Sequence, residues 1–175
     1  MKKRMTRLAV SVAGLGFALS AAAAEPLVRF EGGTGVHPLR TNQGVTVSND
    51  ARGVPPGGTP WAIRAFKAHV KQDGSISAKG EGLVLAGGNR TGTGGPRQVV
   101  ATLFCGAQEL HSPPADMSLG GNFEIEGVLS GVPNFPCGTE ALPPVLLIRN
   151  FAPPAGTPTA PPVPGNWFTA GILVD

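Results

Sequence analysis

The sequence predicts an all-β domain, and three observations lead to that prediction. Glycine and proline together account for 44 of the 175 residues. They separate short apolar runs rich in valine, isoleucine, leucine and phenylalanine, a distribution that helices tolerate poorly. After the N-terminal segment, no run keeps a helical apolar period for the roughly 10 to 12 residues that a helix needs.

Eight segments are candidate strands, because each carries apolar residues between turn residues. This number of short strands predicts a single antiparallel β-sandwich of immunoglobulin-like type, with a small β-barrel as the alternative. The predicted strands are 27–31, 44–48, 61–71, 75–85, 98–105, 123–129, 145–150 and 168–174.

The segment 61–85 carries a change of phase that predicts a β-bulge. Trp61 and Ile63 place apolar side chains at odd positions, whereas Phe66 and Ala68 place them at even positions. Without an extra residue, every side chain after the change would point to the wrong face of the sheet. We therefore expect a bulge near Ala65 and Phe66.

The turn at 72–74 sets the register of this hairpin. A three-residue loop with Gly74 in the left-handed conformation keeps apolar residues opposite apolar ones, whereas a two-residue turn mixes the faces. The first register also places two lysines opposite each other, which is unfavourable. The expected pairs are Val70 with Ile76, Ala68 with Ala78, Lys67 with Lys79, Phe66 with Gly80 and, past the bulge, Arg64 with Glu81.

The first 24 residues have the pattern of a signal peptide that is cleaved before Glu25. Lysine and arginine residues precede an apolar run at 8–19, and small residues follow at 20–24. The run is shorter than the roughly 20 residues that span a bilayer. The first cysteine is Cys105, so no thiol near the cleavage site can carry a lipid. We therefore expect an exported protein, periplasmic or extracellular, with one domain at 25–175 and no transmembrane segment in the mature chain.

The charge of the mature chain argues against a nucleic-acid partner. The full chain carries a net charge of +3, but four of its 14 basic residues belong to the signal segment, which leaves ten against 11 acidic residues. The ten are dispersed along the chain, whereas binding to phosphate backbones depends on clustered cations.

Cys105 and Cys137 are the two cysteines of the chain, and we expect them to form a structural disulfide. Export to an oxidising compartment favours this bond, and the pair lacks the CxxC spacing of redox catalysts. Closing the loop between the two residues should stabilise the fold by roughly 3 to 4 kcal/mol.

Two irregular segments, 86–96 and 152–165, are rich in glycine or proline, and each is either a binding loop or a plain connection. The first segment does not match a phosphate-binding loop, because no Lys-Ser or Lys-Thr pair and no helix pattern follow it. It contains Asn89 in an Asn-x-Thr sequon.

No catalytic, cofactor-binding or metal-binding residue is predicted. The three histidines are isolated in sequence and show no metal-ligand spacing, and the acidic residues 124 and 126 alternate with apolar ones, as on an exposed strand face. We interpret the two tryptophans as core anchors in preference to a sugar-stacking platform. The residues considered were His37, His69, His111, Asp116, Glu124, Glu126, Trp61 and Trp167.

Three segments resemble small exported bacterial β-proteins of unassigned function. They are 52–61 (RGVPPGGTPW), the Asp73-Gly74 hairpin that leads into 82–85 (GLVL), and 99–106, which ends in Leu-Phe-Cys-Gly. The resemblance implies a bacterial, exported protein, and it implies no substrate, cofactor or catalytic residue.

The sequence thus favours a non-catalytic exported or envelope-associated protein that binds an unknown ligand, with a protein or a glycan as possible partner. Two alternatives stay open. One is a secreted enzyme whose site forms only in three dimensions, and the other is a pilin-like surface subunit that exchanges a strand.

Overall fold

The computed structural model describes residues 26–40, 43–44, 46–47, 49–95 and 97–174. The predicted signal peptide and its cleavage site lie outside these residues. The described residues contain only strands and irregular segments. Among them there is therefore no helix with the length and apolar character needed to cross a membrane.

The described part of the chain forms thirteen strands, numbered β1 to β13 in chain order. Their bounds are Pro26–Gly35, Leu39–Arg40, Thr46–Val47, Trp61–Ala62, Ala65–Lys71, Ser75–Glu81, Val84–Leu85, Arg97–Cys105, Gln108–His111, Ala115–Met117, Phe123–Val128, Val145–Ala152 and Val163–Val174.

The longer strands form one antiparallel sheet in the order β10, β8, β12, β13, β1, β5, β6 and β11, and β9 also pairs with β8. Two short pairs, β2 with β3 and β4 with β7, lie outside it. The sheet curls, because β10 contacts β11 and the Ser130 N–H donates to the His111 carbonyl oxygen at 2.8 Å. The all-β class is confirmed as a curled antiparallel sheet. The immunoglobulin-like sandwich and the small barrel stay predictions.

Two short strands, β9 and β10, pair with β8 and were not predicted from the sequence. Gln108–His111 and Ala115–Met117 are separated by Ser112 and two prolines, which lack the N–H that a ladder requires. Ser112 nevertheless keeps the alignment with β8: its N–H donates to the Ala101 carbonyl oxygen and its Oγ accepts from the Ala101 N–H at 3.0 Å. Proline is tolerated here because these residues flank the sheet at its edge.

The hairpin of β5 and β6 has the predicted register. Gly74 has φ +85°, and its N–H donates to the Lys71 carbonyl oxygen at 3.0 Å. The two lysines that were expected to face each other do so. The observed pairs include Val70 with Ile76, Ala68 with Ala78, Lys67 with Lys79 and Phe66 with Gly80.

The predicted change of phase is present between β4 and β5. Trp61 and Phe66 are both buried, which is possible because Arg64 and Ala65 are exposed in succession. The Arg64 N–H donates to the Glu81 carbonyl oxygen at 3.0 Å, and its guanidinium lies 2.9 Å from the Glu81 carboxylate. The phase change therefore lies at Arg64 and Ala65, near the predicted position. Ala65, rather than Arg64, is the ladder partner of Glu81, but the expected ion pair between Arg64 and Glu81 forms.

Strand β8 is covered on both faces. Val99, Ala101 and Leu103 alternate with Val100 and Thr102, and all five side chains are buried. The neighbouring strand β12 is likewise buried throughout 146–149. Such strands have near-continuous apolar sequences. Two polar side chains on these strands, Thr102 and Arg149, are consequently enclosed by protein.

The disulfide joins the end of β8 to the irregular segment 129–144. Cys105 and Cys137 are both buried, and their Cα atoms are 4.6 Å apart. This geometry agrees with the pairing expected from the sequence. The bond attaches a segment without regular strands to the most buried strand of the sheet.

Replacing Gly74 with valine should lower the free energy of unfolding by about 1 to 2 kcal/mol, since a β-branched residue strongly disfavours positive φ. An added Cβ would also lie 3.1 Å from the Gly131 carbonyl oxygen. Chemical denaturation measures the change. The control is Gly120→Val, where the nearest atom to the added Cβ is Ser118 Oγ at 3.9 Å. Equal destabilisation by both substitutions would contradict the prediction.

Candidate functional site

The three histidines lie on different parts of the fold. His37 follows β1 and is exposed, His69 is exposed on β5, and His111 is partly buried on β9. Within the described ranges, no group of three or more His, Cys, Asp or Glu side chains is arranged to hold a metal ion. The fold therefore does not gather the histidines into a common site.

Two of the acidic residues considered from the sequence share a surface groove. Asp116 and Glu124 line a depression of about 680 Å³ together with Arg64 and Lys79. Both acidic residues are exposed, and Asp116 Oδ1 accepts a hydrogen bond from Gln98 Nε2 at 3.1 Å. Glu126 is separate and is hydrogen-bonded to Ser77. The groove is an open, mixed-charge surface rather than an enclosed polar pocket.

Arg149 on β12 is a buried cation that sequence reasoning did not single out. Its residue exposure is 8%, and its Nη1 donates to Glu109 Oε1 at 2.7 Å. The other donors reach the backbone: Nε bonds to the Gly165 carbonyl oxygen at 2.7 Å and Nη2 to that of Pro164 at 2.9 Å. One side chain thus connects β12, β9 and the beginning of β13.

His111 extends this polar cluster. Its Nδ1 lies 3.1 Å from Thr102 Oγ1, and its Nε2 lies 3.8 Å from Glu109 Oε1. Burial lowers the pKa of His111 below its ordinary value, and Arg149 lowers it further, although Glu109 acts in the opposite direction. Burial thus favours the neutral imidazole, and Arg149 supplies the positive charge of the cluster.

The cleft that we identify as the candidate site lies where the first half of β13 meets irregular segments of the chain. We call it the loop cleft; it encloses about 580 Å³, within the usual range for small-molecule sites. The segment 152–165 contributes much of its wall. No described residue of 86–96 lines the cleft, although Leu85 and Arg97, which flank that segment, do. The lining includes Gly57, Gly58, Thr59, Trp61, Leu85, Arg97, Asn150, Ala152, Pro153, Pro154, Ala155, Val163, Gly165, Asn166 and Phe168.

Hydrogen bonds hold the walls of the loop cleft in place. The Gly57 N–H donates to the Trp167 carbonyl oxygen at 2.9 Å, and Asn166 Nδ2 donates to the Pro56 carbonyl oxygen at 2.7 Å. On the opposite side, Arg149 binds the carbonyl oxygen of Gly165, which itself lines the cleft. The buried cation therefore supports the wall of the site from behind.

An aromatic pair lies beneath the loop cleft. The rings of Trp61 and Phe168 stack with centroids 4.3 Å apart, and both side chains are almost fully buried. Trp167 is also buried. This agrees with the interpretation of the tryptophans as core anchors, but Trp61 and Phe168 also form part of a cavity lining, which the sequence did not predict.

Arg97, the first residue of β8, covers this aromatic pair. Its guanidinium carbon is 5.0 Å from the Trp61 ring centroid and 5.3 Å from that of Phe168. Its Nε is buried and has no hydrogen-bond partner among the described residues. Burial lowers the pKa of Arg97, and the charge of Arg90 lowers it further. The two ring faces attract the guanidinium, and its N–H groups are of the kind that form strong hydrogen bonds with carboxylates.

Arg97 was not a candidate in the sequence, although one local signal exists. It is the cation that separates the glycine-rich segment from a long apolar strand. The two aromatic residues that it covers are 36 and 71 positions away along the chain. No local pattern connects these positions, and only the folded sheet brings them together.

Replacing Arg149 with glutamine should lower the free energy of unfolding by about 2 to 3 kcal/mol. The reason is that the carbonyl oxygens of Pro164 and Gly165 and the Glu109 carboxylate lose the charged guanidinium as their donor. The matched control is Arg64→Gln, which breaks the exposed ion pair with Glu81 and should cost less than about 1 kcal/mol. Urea denaturation of both variants measures the difference. Similar losses in the two variants would contradict the assignment of Arg149 as the buried support.

Comparison with known proteins identifies no relative. No protein-family model matches the chain, and neither a curated protein nor a solved structure matches it. The function must therefore be inferred from the geometry described above.

Proposed function

We propose that this chain is a non-catalytic exported binding protein and that the loop cleft is its ligand site. The observation that supports the proposal best is Arg97, a partly buried cation placed over two stacked aromatic rings in a cavity. Ligand sites commonly combine an apolar lining with a few fixed polar groups. The curled sheet supplies a rigid frame for these groups and supports a sandwich-like packing around one core.

The polar groups of the loop cleft are suited to binding. Arg97 supplies charged donors, Asn150 and Asn166 supply amide groups, and Thr59 supplies a hydroxyl group. The described lining contains no carboxylate, imidazole or thiol, the groups that most often act as acid, base or nucleophile. This composition favours recognition over bond cleavage.

Export is the second part of the proposal. The disulfide between Cys105 and Cys137 supports an oxidising compartment, in agreement with the signal-peptide pattern at residues 1–24. The proposed location is the periplasm or the cell exterior, and association with the envelope is compatible with either. The pilin-like alternative is less well supported, because the ends of the sheet approach each other.

Protein recovered from the exported fraction of a bacterial host should begin at Glu25 and lack two thiol hydrogens. Intact-mass measurement before and after reduction tests both points. The control is the variant with Cys105 and Cys137 both replaced by serine, whose mass should not change on reduction. Recovery of the full chain with residues 1–24 attached would contradict the proposed export.

Filling the loop cleft should abolish binding of small ligands. Gly58 lines the cleft, and a Cβ placed on it meets no atom within 4 Å, so the Cβ of Gly58→Phe has room and the substitution places a benzyl group at the cleft wall. A panel of saccharides, organic acids, amides and amines is titrated while amide resonances of the cleft residues are followed by NMR. Compounds that bind the parent should lose about tenfold or more in affinity for Gly58→Phe.

The control for this experiment is Gly120→Phe. Gly120 lies in the turn before β11, outside the loop cleft, and its added Cβ would have its nearest neighbour at 3.9 Å. This variant should bind like the parent. The proposal is wrong if no compound of the panel shifts the cleft resonances, or if Gly58→Phe binds every compound as the parent does.

A further inference from the structure

We propose that the loop cleft selects organic anions, in which a carboxylate is joined to a compact apolar body. This inference rests on the proposed binding function and names the ligand class of the same site. It depends on three features: a second guanidinium group near that of Arg97, the position of Arg97 over the aromatic pair, and the apolar lining of the cleft beside it.

The first feature is a concentration of positive charge. A Cβ atom placed on Gly95 would lie 3.1 Å from one terminal nitrogen of Arg97 and 3.3 Å from one of Arg90. The two guanidinium groups therefore lie close to the same point, so that Arg90, which does not itself line the loop cleft, adds positive charge beside Arg97. Among the described residues, neither arginine has an acidic partner within 4.0 Å. Their mutual repulsion is thus left uncompensated by the protein, and a bound anion would relieve it.

The second feature is the fixed position of Arg97. Its guanidinium contacts the faces of two buried rings, whose own positions are set by the core. A planar guanidinium held in this way loses little conformational freedom on binding, and it presents paired donors that match a carboxylate. Burial has also removed part of its hydration. A charged acceptor restores more of that lost interaction than a neutral acceptor does.

The third feature is the apolar lining beside the cation. Leu85 and Val163 line the loop cleft together with Pro153, Pro154 and Ala155. Prolines restrict the backbone of this wall, so that little ordering is needed when a ligand binds. A ligand that satisfies both regions carries an acidic group at one end and an apolar group at the other. An organic cation would meet Arg97 with like charge and is excluded.

The test compares pairs of probes that share their shape and differ in charge. Benzoate is compared with benzamide, and hexanoate with hexanamide, so that a flat and a flexible apolar body are both sampled. Titrations at pH 7 follow the amide resonances of the cleft residues and the Nε–H resonance of Arg97. At least one acid should bind about tenfold or more tightly than its amide.

Three variants test which arginine gives the cleft its preference for acids over amides. Arg97→Gln should remove the preference for the acid, whereas Arg97→Lys keeps the charge and should keep part of the preference. Arg90→Gln should weaken acid binding by about two- to fivefold, because Arg90 is exposed. The matched control is Arg64→Gln, which removes the same charge outside the loop cleft and should leave the preference unchanged. Dispersed amide spectra establish that each variant is folded.

The outcomes separate this inference from the proposed function. If amides and acids bind the cleft equally well, or if Arg97→Gln keeps the preference for acids, the anion selectivity is wrong and the binding site stands. If neither acid shifts the cleft resonances up to about 20 mM, the anion selectivity is also wrong. The binding function itself is then decided by the broader panel and the Gly58→Phe variant. The inference is supported by an acid preference that Arg97→Gln removes, Arg97→Lys keeps in part and Arg64→Gln leaves unchanged.

Discussion

The fold depends on one constraint: where a strand of the curled sheet has one face in solvent, its alternate side chains must point to the same apolar core. A shift of one residue would expose the buried face, so that each change of phase in the sequence requires an extra residue in the backbone. The phase change at 64–65 meets this requirement, since it lets Trp61 and Phe66 both enter the core. The position of Trp61 is therefore set by register, and the position of Arg97 depends on Trp61 in turn.

The candidate site combines rigid and irregular parts of the chain. Its floor consists of side chains at strand positions, namely Trp61, Phe168 and Arg97, which the sheet places within 5.3 Å of one another. Its wall comes from segments rich in proline and glycine, which carry few backbone hydrogen bonds of their own. Arg149 compensates for this, because it binds the carbonyl oxygens of Pro164 and Gly165 from within the protein. This division is common in proteins that bind ligands with loops carried on a stable frame.

Sequence reasoning succeeded where the determining interactions are local. The pairing of β5 with β6 follows from one turn and from alternation on both sides of it, and all residues involved lie within 20 positions of each other. It failed for Gln108–His111 and Ala115–Met117, because two prolines lie between these short strands and interrupt the strand pattern. Both strands are aligned by their pairing with β8, which the local sequence does not reveal. It also missed the end of the proline-rich segment, where Val163–Gly165 belongs to β13.

The sequence by itself determined the all-β class, the register of the central hairpin, the phase change before it and the cysteine pair, since these depend on period, turn residues and residue type. Only the tertiary structure decided which polar groups meet. Arg97 joins two aromatic residues from distant strands, and Arg149 finds its acceptors 15 and 16 residues onward and its acidic partner 40 residues earlier. The physical reason is that side-chain spacing along one strand specifies a face, whereas the partner across that face depends on how the whole sheet is ordered and curled.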